Sequence, residues 1–131
     1  MLAATLPDRA VHLFNTRGVD LTAAQGTIRT AAQHVSPVAL AWHPERLLLA
    51  TAWQDGSLTF TAVKIDGKRH YQKATQPTTD TSPVLLQWLD HGRLLLGHTS
   101  GACTLWEMQQ ASDLQVDWEP VQVGLCATCL R

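Results

Sequence analysis

Val38, Leu40 and Trp42 alternate with the small residues Ala39 and Ala41, and the stretch ends in the turn His43-Pro44-Glu45. A period of two closed by a proline turn predicts a β-strand. Leu47 to Trp53 is apolar apart from Thr51, as expected for a strand covered on both faces, and Gln54-Asp55-Gly56 predicts a tight hairpin after it. Leu58-Thr59-Phe60-Thr61 then resumes the alternation.

The same order returns about 46 residues later. Val84, Leu86 and Trp88 alternate, Asp90-His91-Gly92 turns, Leu94 to His98 runs apolar, and Ser100-Gly101 turns into Cys103-Thr104-Leu105-Trp106. Between the two blocks, residues 64–82 are polar and rich in Thr, Lys and Gln, with Asp66-Gly67 as a hairpin-type turn. This composition suits an exposed outer strand followed by a long loop.

A third copy becomes visible when the seven residues from the second turn onward are compared. Asp8 to Phe14, Asp55 to Thr61 and Ser100 to Trp106 lie 47 and 45 residues apart. Each is a turn followed by an alternating strand, as in the signature of WD repeats, whose period of roughly 40 to 45 residues marks the four-stranded blades of a propeller. The turn must admit positive φ, which glycine supplies without steric cost. Arg9 stands at that position in the first copy, and Thr61 stands where the second copy would end in an aromatic residue.

The expected fold is therefore all-β, a partial WD40-type β-propeller of about two and a half four-stranded blades in a single region, 1–131. The blades fall near 1–30, 36–80 and 82–118, with a further blade beginning over 119–131. The first lacks its opening strand, because Met1 already stands where Leu48 stands in the second. The residues carrying the blade signature are Trp42, Pro44, Trp53, Asp55, Gly56, Trp88, Gly101 and Trp106. Closed propellers typically have about 4 to 8 blades, and an open array leaves blade flanks without a neighbour. The missing blades are expected from the rest of a longer parent chain or from a partner.

Composition narrows the functional classes. With 131 residues, 45% of them apolar, and a formal charge of −1, the chain has the makeup of one soluble globular unit. Lys and Arg are scattered, so no basic stripe invites a nucleic-acid backbone. The apolar runs are far shorter than the roughly 20 residues of a membrane span. The opening MLAATLPDRAVHLF has no basic region or apolar core of a secretory signal, so a cytoplasmic location is expected. Three cysteines do not form a disulfide framework and are expected to be thiols in such a compartment.

Little in the chain suggests chemistry of its own. Cys126-Ala127-Thr128-Cys129 has a spacing that can hold zinc or act as a redox pair, but a structural zinc site takes four ligands and no second pair exists. Residues three apart on a strand point to opposite faces, so these thiols read as buried small apolar residues. The histidines at 12, 34, 43, 70, 91 and 98 lack zinc-ligand spacing and read as turn or surface residues. Asp90-His91 beside Ser82 or Ser100 does not constitute a triad without geometry. Trp42 and Trp88 recur at equivalent positions, which implies packing between blades, whereas Trp118 lies outside the register and is the candidate contact aromatic. Lys64, Lys68, Arg69 and Lys73 read as a solvated loop. No catalytic, cofactor-binding or metal-ligating residue is assigned.

The segment AWHPERLLLATAWQDGSLTF resembles the second blade of the large WD-repeat subunit of intraflagellar transport complex A, the intraflagellar transport protein 140 family. Ala41, Trp42-His43-Pro44, Arg46 to Ala50, Trp53, Asp55-Gly56 and Leu58 to Phe60 carry the likeness in order. LAATLPDRAVHLFNTRG is similar to the end of that family's first blade and GLCATCLR to the opening of its fourth, while Leu89-Asp90 departs from the His-Pro pattern. The resemblance implies an amino-terminal fragment of a non-enzymatic scaffold in ciliary retrograde transport and cargo delivery. It also implies a location in the cilium or flagellum and at its base, with WD and helical-repeat subunits as partners. A generic WD40 adaptor, such as a ubiquitin-ligase substrate receptor, is the alternative, and a small zinc or thiol enzyme around Cys126 and Cys129 a third.

Overall fold

A computed structural model of the chain describes residues 1–6, 8–28, 35–64, 66, 68–75, 82–90, 92–109 and 119–126. Three antiparallel sheets follow one another along the sequence. The first pairs β1 (Leu2–Leu6) with β2 (Ala10–Phe14). The second is the four-stranded meander β3 (Pro37–Trp42), β4 (Leu48–Trp53), β5 (Leu58–Val63) and β6 (Arg69–Ala74). The third is β7 (Pro83–Trp88), β8 (Arg93–His98), β9 (Cys103–Gln109) and β10 (Glu119–Cys126). A single helical turn, α1 (Thr22–Gln25), follows β2, and Ile28 bridges back to Val11. Two full blades and part of another are thus present, as the repeats predict.

The register shows why the repeats align. Leu49 lies opposite Thr61 in the second sheet, Leu94 opposite Trp106 in the third, and Leu2 opposite Phe14 in the first. Met1 therefore does stand at the position of Leu48. The turns before β2, β5 and β9 each hold a residue with positive φ: Arg9 at 62°, Gly56 at 84° and Gly101 at 88°. Arg9 adopts the conformation that the other two copies give to glycine.

One boundary departs from the sequence pattern. Residues from 119 onward are expected to open a further blade, yet β10 pairs along β9, from Glu119 opposite Gln109 to Cys126 opposite Cys103, and closes the third blade. Without it, β9 would present an unpaired row of N–H and C=O groups at the sheet edge. A register shift between Gln122 and Gly124 fits the longer strand to β9. Residues 127–131, assigned to that further blade, lie outside the described residues.

Side chains alternate between two apolar layers, as the period of two along a strand requires. Leu49, Trp53 and Val63 of the second blade pack with Val11, Leu13 and Ile28 of the first. On the opposite face, Leu48, Ala50, Ala52, Leu58 and Phe60 pack with Leu86, Leu94 and Leu96 of the third. The second blade is the filling of this sandwich, so all six residues of β4 are buried.

Candidate functional site

The signature residues divide between blade seams and turns. Trp42 and Trp88 each end the first strand of a blade and face the preceding one, Trp42 toward Leu13 and Val11, Trp88 toward Phe60 and its neighbours. Trp88 meets Phe60 at 6.4 Å between ring centroids and 71° between planes, an edge-to-face contact. Its indole Nε1 donates to the Ala41 carbonyl at 3.2 Å, tying the third blade to the second. Trp53 is fully buried and donates from Nε1 to Thr59 Oγ1 on the neighbouring strand at 2.9 Å, whereas Trp106 donates to Thr104 Oγ1, two residues back on its own strand, at 3.2 Å. All four tryptophans lie in the apolar layers between blades.

His43 and Pro44 differ from one another. Pro44 is exposed, whereas His43 lies in the expected turn but is buried. Its Nδ1 accepts from the backbone N–H groups of Glu45 and Arg46 at 3.1 and 3.2 Å, and its ring stands edge-on to Trp88 at 4.9 Å. The Trp-His-Pro segment thus serves the architecture, since the histidine fixes the turn and forms part of the platform for the next blade's tryptophan.

Asp55 and Gly56 build the turn between β4 and β5. Asp55 Oδ1 accepts from the Ser57 N–H at 3.0 Å and from its hydroxyl at 2.6 Å, while Gly56 N donates to Trp53 O at 2.9 Å. The equivalent turns keep the logic with different residues. Asp8 Oδ1 accepts from Ala10 N at 3.2 Å, Ser100 Oγ from Ala102 N at 3.3 Å, and Gly101 N donates to His98 O at 3.0 Å. A short polar side chain holding the N–H two residues on is an Asx- or Ser-type turn.

His12 is the titratable group whose setting the sequence pattern does not reveal. On β2, its Nε2 lies 2.9 Å from Asp8 Oδ2 and its Nδ1 lies 3.1 Å from Asp20 Oδ2. Asp20 is in turn held by Thr22, whose hydroxyl and N–H donate to Oδ1 at 2.5 and 2.9 Å. Burial works against a charge on His12, but the hydrogen bonds and charges of Asp8 and Asp20 outweigh it and raise its pKa. Asp20 is held below the ordinary carboxylate range, first by the Thr22 hydroxyl and, against some desolvation, by His12 as well. With both ring nitrogens engaged by carboxylates, His12 has no ring nitrogen to offer a substrate as a base. The arrangement ties β2 to the segment before α1. Its signal in the sequence is the four-residue interval from Asp8 to His12 across the turn.

The other candidates fall into place as follows. Asp90 accepts from the N–H groups of Gly92 and Arg93 at 2.9 Å and from the Arg93 guanidinium, so it holds a turn; the hydrogen bond from Gly92 leads in lowering its pKa. Lys64, Lys68 and Lys73 are exposed, but Arg69 and Lys73 lie on strand β6 and not in the expected loop. Cys103 corrects the expectation of free thiols, because it is disulfide-bonded. Spacing along the chain does not reveal such a bond, which depends on where the fold places β9. Cys129, His34, His91 and Trp118 lie outside the described residues.

Among the described residues, no three of His, Cys, Asp or Glu are grouped to hold a metal ion, and no helix is long and apolar enough to cross a membrane. A cleft of about 210 Å³ lies beside Met1, Asn15, Thr16 and Leu47, with no titratable side chain among its described lining residues. That is below the roughly 300 to 1,000 Å³ of a small-molecule site.

No protein-family model matches the sequence. Among solved structures, the chain is similar to Hsv2 of Kluyveromyces lactis, with a TM-score of 0.72 and 15% identity over 97% of this chain and 43% of that one. A second structure, Hsv2 of Kluyveromyces marxianus, gives 0.68 and 12% over 98% and 42%. The chain spans less than half the length of these β-propellers. Identities this low speak to the fold alone, and together with the sheets and seams above they show that this chain folds as part of a WD40-type β-propeller.

Proposed function

We propose that the chain is a segment of a non-enzymatic WD-repeat scaffold, the amino-terminal propeller region of a large intraflagellar transport complex A subunit. In this role it supports ciliary retrograde transport and cargo delivery through protein contacts. The observation that carries the reading is the ordered likeness of Ala41 to Phe60 to that family's second blade. The scaffold part has its own support: Trp42, Trp53, Trp88, Trp106 and Phe60 are occupied in blade packing, and the carboxylate-bracketed His12 is occupied as a tie. The same blades would serve another WD adaptor, because a fold does not fix a function.

The test is to tag the gene product at its locus in a ciliated cell, purify it under mild conditions and identify its companions. The transport reading expects other complex A subunits to co-purify and the tag to concentrate in cilia and at their base. Companions dominated by ubiquitin-ligase subunits, with no ciliary signal, would replace it with the adaptor reading.

A further inference from the structure

The second blade is covered on both flanks, so what it leaves open is a property of the blade itself. Its strands run in the order β3-β4-β5-β6, and β6 ends the sheet with no strand paired on its outer side among the described residues. β3 lies beside β7, so the blades converge at their first strands and β6 stands on the outer circumference. Further blades would add to the flanks of the first and third blades, not to this edge.

Two features mark that edge. The first is its backbone. Thr75 N donates to Leu58 O at 2.9 Å, and the residues of an antiparallel strand turn their polar groups alternately toward and away from the partner. Lys73, opposite Phe60, therefore shares the phase of Thr75, whereas Gln72 and Ala74 direct their N–H and C=O groups to the open side, and both residues are exposed. The second feature is charge. Four of the chain's ten Lys and Arg residues lie between Lys64 and Lys73, where Asp66 is the sole acidic residue. The hairpin that leads into β6 is fixed, because Lys64 N donates to Lys68 O at 2.8 Å and Lys68 N to Asp66 Oδ1 at 3.0 Å. Lys64, Lys68 and Lys73 are exposed, and none of their ammonium groups is in an ion pair among the described residues.

We infer that β6 is a docking edge for an extended, acidic segment of a partner protein, which adds a further strand to the second blade. Main-chain bonds to Gln72 and Ala74 hold the added strand, and carboxylates along it meet Lys64, Lys68 and Lys73. Lysine on an edge strand ordinarily discourages pairing. Here it does so against a second copy of this chain, which would bring like charges together, and it favours a strand of the opposite sign. Isolated surface ion pairs are weak, so the backbone ladder and the charges are needed together. The inference rests on the scaffold reading and gives the partner a chemistry, but it depends on the blade rather than on the transport role, so direct binding and ciliary co-purification can fail separately.

Fluorescence anisotropy of a labelled, strand-length peptide of alternating Glu and Thr, titrated with the 131-residue chain at low salt, tests it. Saturable binding is expected, and a peptide with Lys in place of Glu should not bind. Lys64→Glu, Lys68→Glu and Lys73→Glu combined should raise Kd about tenfold or more. These side chains are exposed, so the variant keeps the fold, as circular dichroism would verify. Gln72→Pro removes an outward N–H and none that faces β5, so it should weaken binding severalfold. N-methylation of alternate peptide amides keeps the charge and removes the ladder, and should abolish binding. A wild-type chain that ignores the acidic peptide overturns the inference, as does binding indifferent to both N-methylation and Gln72→Pro, which would be charge alone. Vesicles rich in phosphatidylserine are the comparison: if they bind through the same lysines and the peptide does not, the edge is a lipid-facing patch and the inference falls.

Discussion

Trp88 and Ala41 lie 47 residues apart in sequence, yet the indole N–H of one donates to the carbonyl of the other at 3.2 Å. The bond crosses the seam between two blades at the same place where Trp88 packs against Phe60 and His43. A single side chain thus carries both the apolar and the polar part of the junction.

Replacing that side chain separates the two parts. Trp88→Phe keeps much of the ring packing and loses the hydrogen bond, leaving the Ala41 carbonyl without this donor, at a cost of about 1 kcal/mol. Trp88→Ala also opens a cavity at the seam and should cost about 3 to 5 kcal/mol. Urea denaturation of the three proteins gives the comparison, and equal losses for the two variants would deny the bond any separate contribution.

Arg9 holds the positive φ that glycine holds in the two equivalent turns. A non-glycine residue in this region costs roughly 1 kcal/mol or more in backbone strain. Arg9→Gly should therefore raise stability by about 0.5 to 1 kcal/mol, less whatever the arginine side chain contributes. A thermal midpoint that fell on substitution would show the side-chain contribution to be the larger.

The His12 tie gives stability a dependence on pH whose sign is fixed by the direction of its shift. Its folded pKa is above the ordinary value of 6.5, so folding favours the protonated ring. The contribution is fully present below that ordinary value and is lost as pH rises through the folded one. On the acid side, Asp20 is shifted down from 3.8, so its contribution is lost as pH falls through its folded value. Denaturation midpoints from mildly acidic to mildly alkaline pH should fall for the wild type, and the decline should flatten in His12→Gln.

Thr51 and Thr61 are fully buried on the second blade's leading side, and neither hydroxyl finds a hydrogen-bond partner among the described residues. Burying a hydroxyl without a partner costs roughly 1 to 3 kcal/mol by mutational measures. Thr51→Val keeps the shape and removes the polar atom, so it should stabilise the fold by about 1 kcal/mol. Calorimetry would show a higher melting temperature, and a lower one would mean that the hydroxyl is satisfied.

Strand periodicity and turn chemistry are legible in the sequence because each is local. The Leu47–Trp53 run announces a strand with two covered faces, and Arg9, although not a glycine, is found through its place in the repeat. Relations set by pairing are not legible. Whether Glu119 to Cys126 opens a new blade or closes the old one depends on the free edge of β9, and the disulfide at Cys103 depends on tertiary placement rather than on spacing. His12 escapes notice because each Asp–His interval alone is ordinary; only the turn and the bridge from Phe14 to Asp20 bring both carboxylates to one ring. His43 looks like a surface turn residue because its burial comes from a tryptophan 45 positions later.

The sandwiching of β4 between two neighbours sets a hierarchy of local opening. Blade arrays behave as a sum of intrinsic blade stabilities and nearest-neighbour couplings, and among the described residues the second blade is the one coupled on both sides. Fluctuations should therefore begin at the outer blades and reach the middle last. In amide hydrogen exchange, Leu49, Ala50 and Thr51 should report global unfolding, while β1 and β10 exchange through smaller openings. Among the described blades, the most deeply sandwiched strand is then also the last to open.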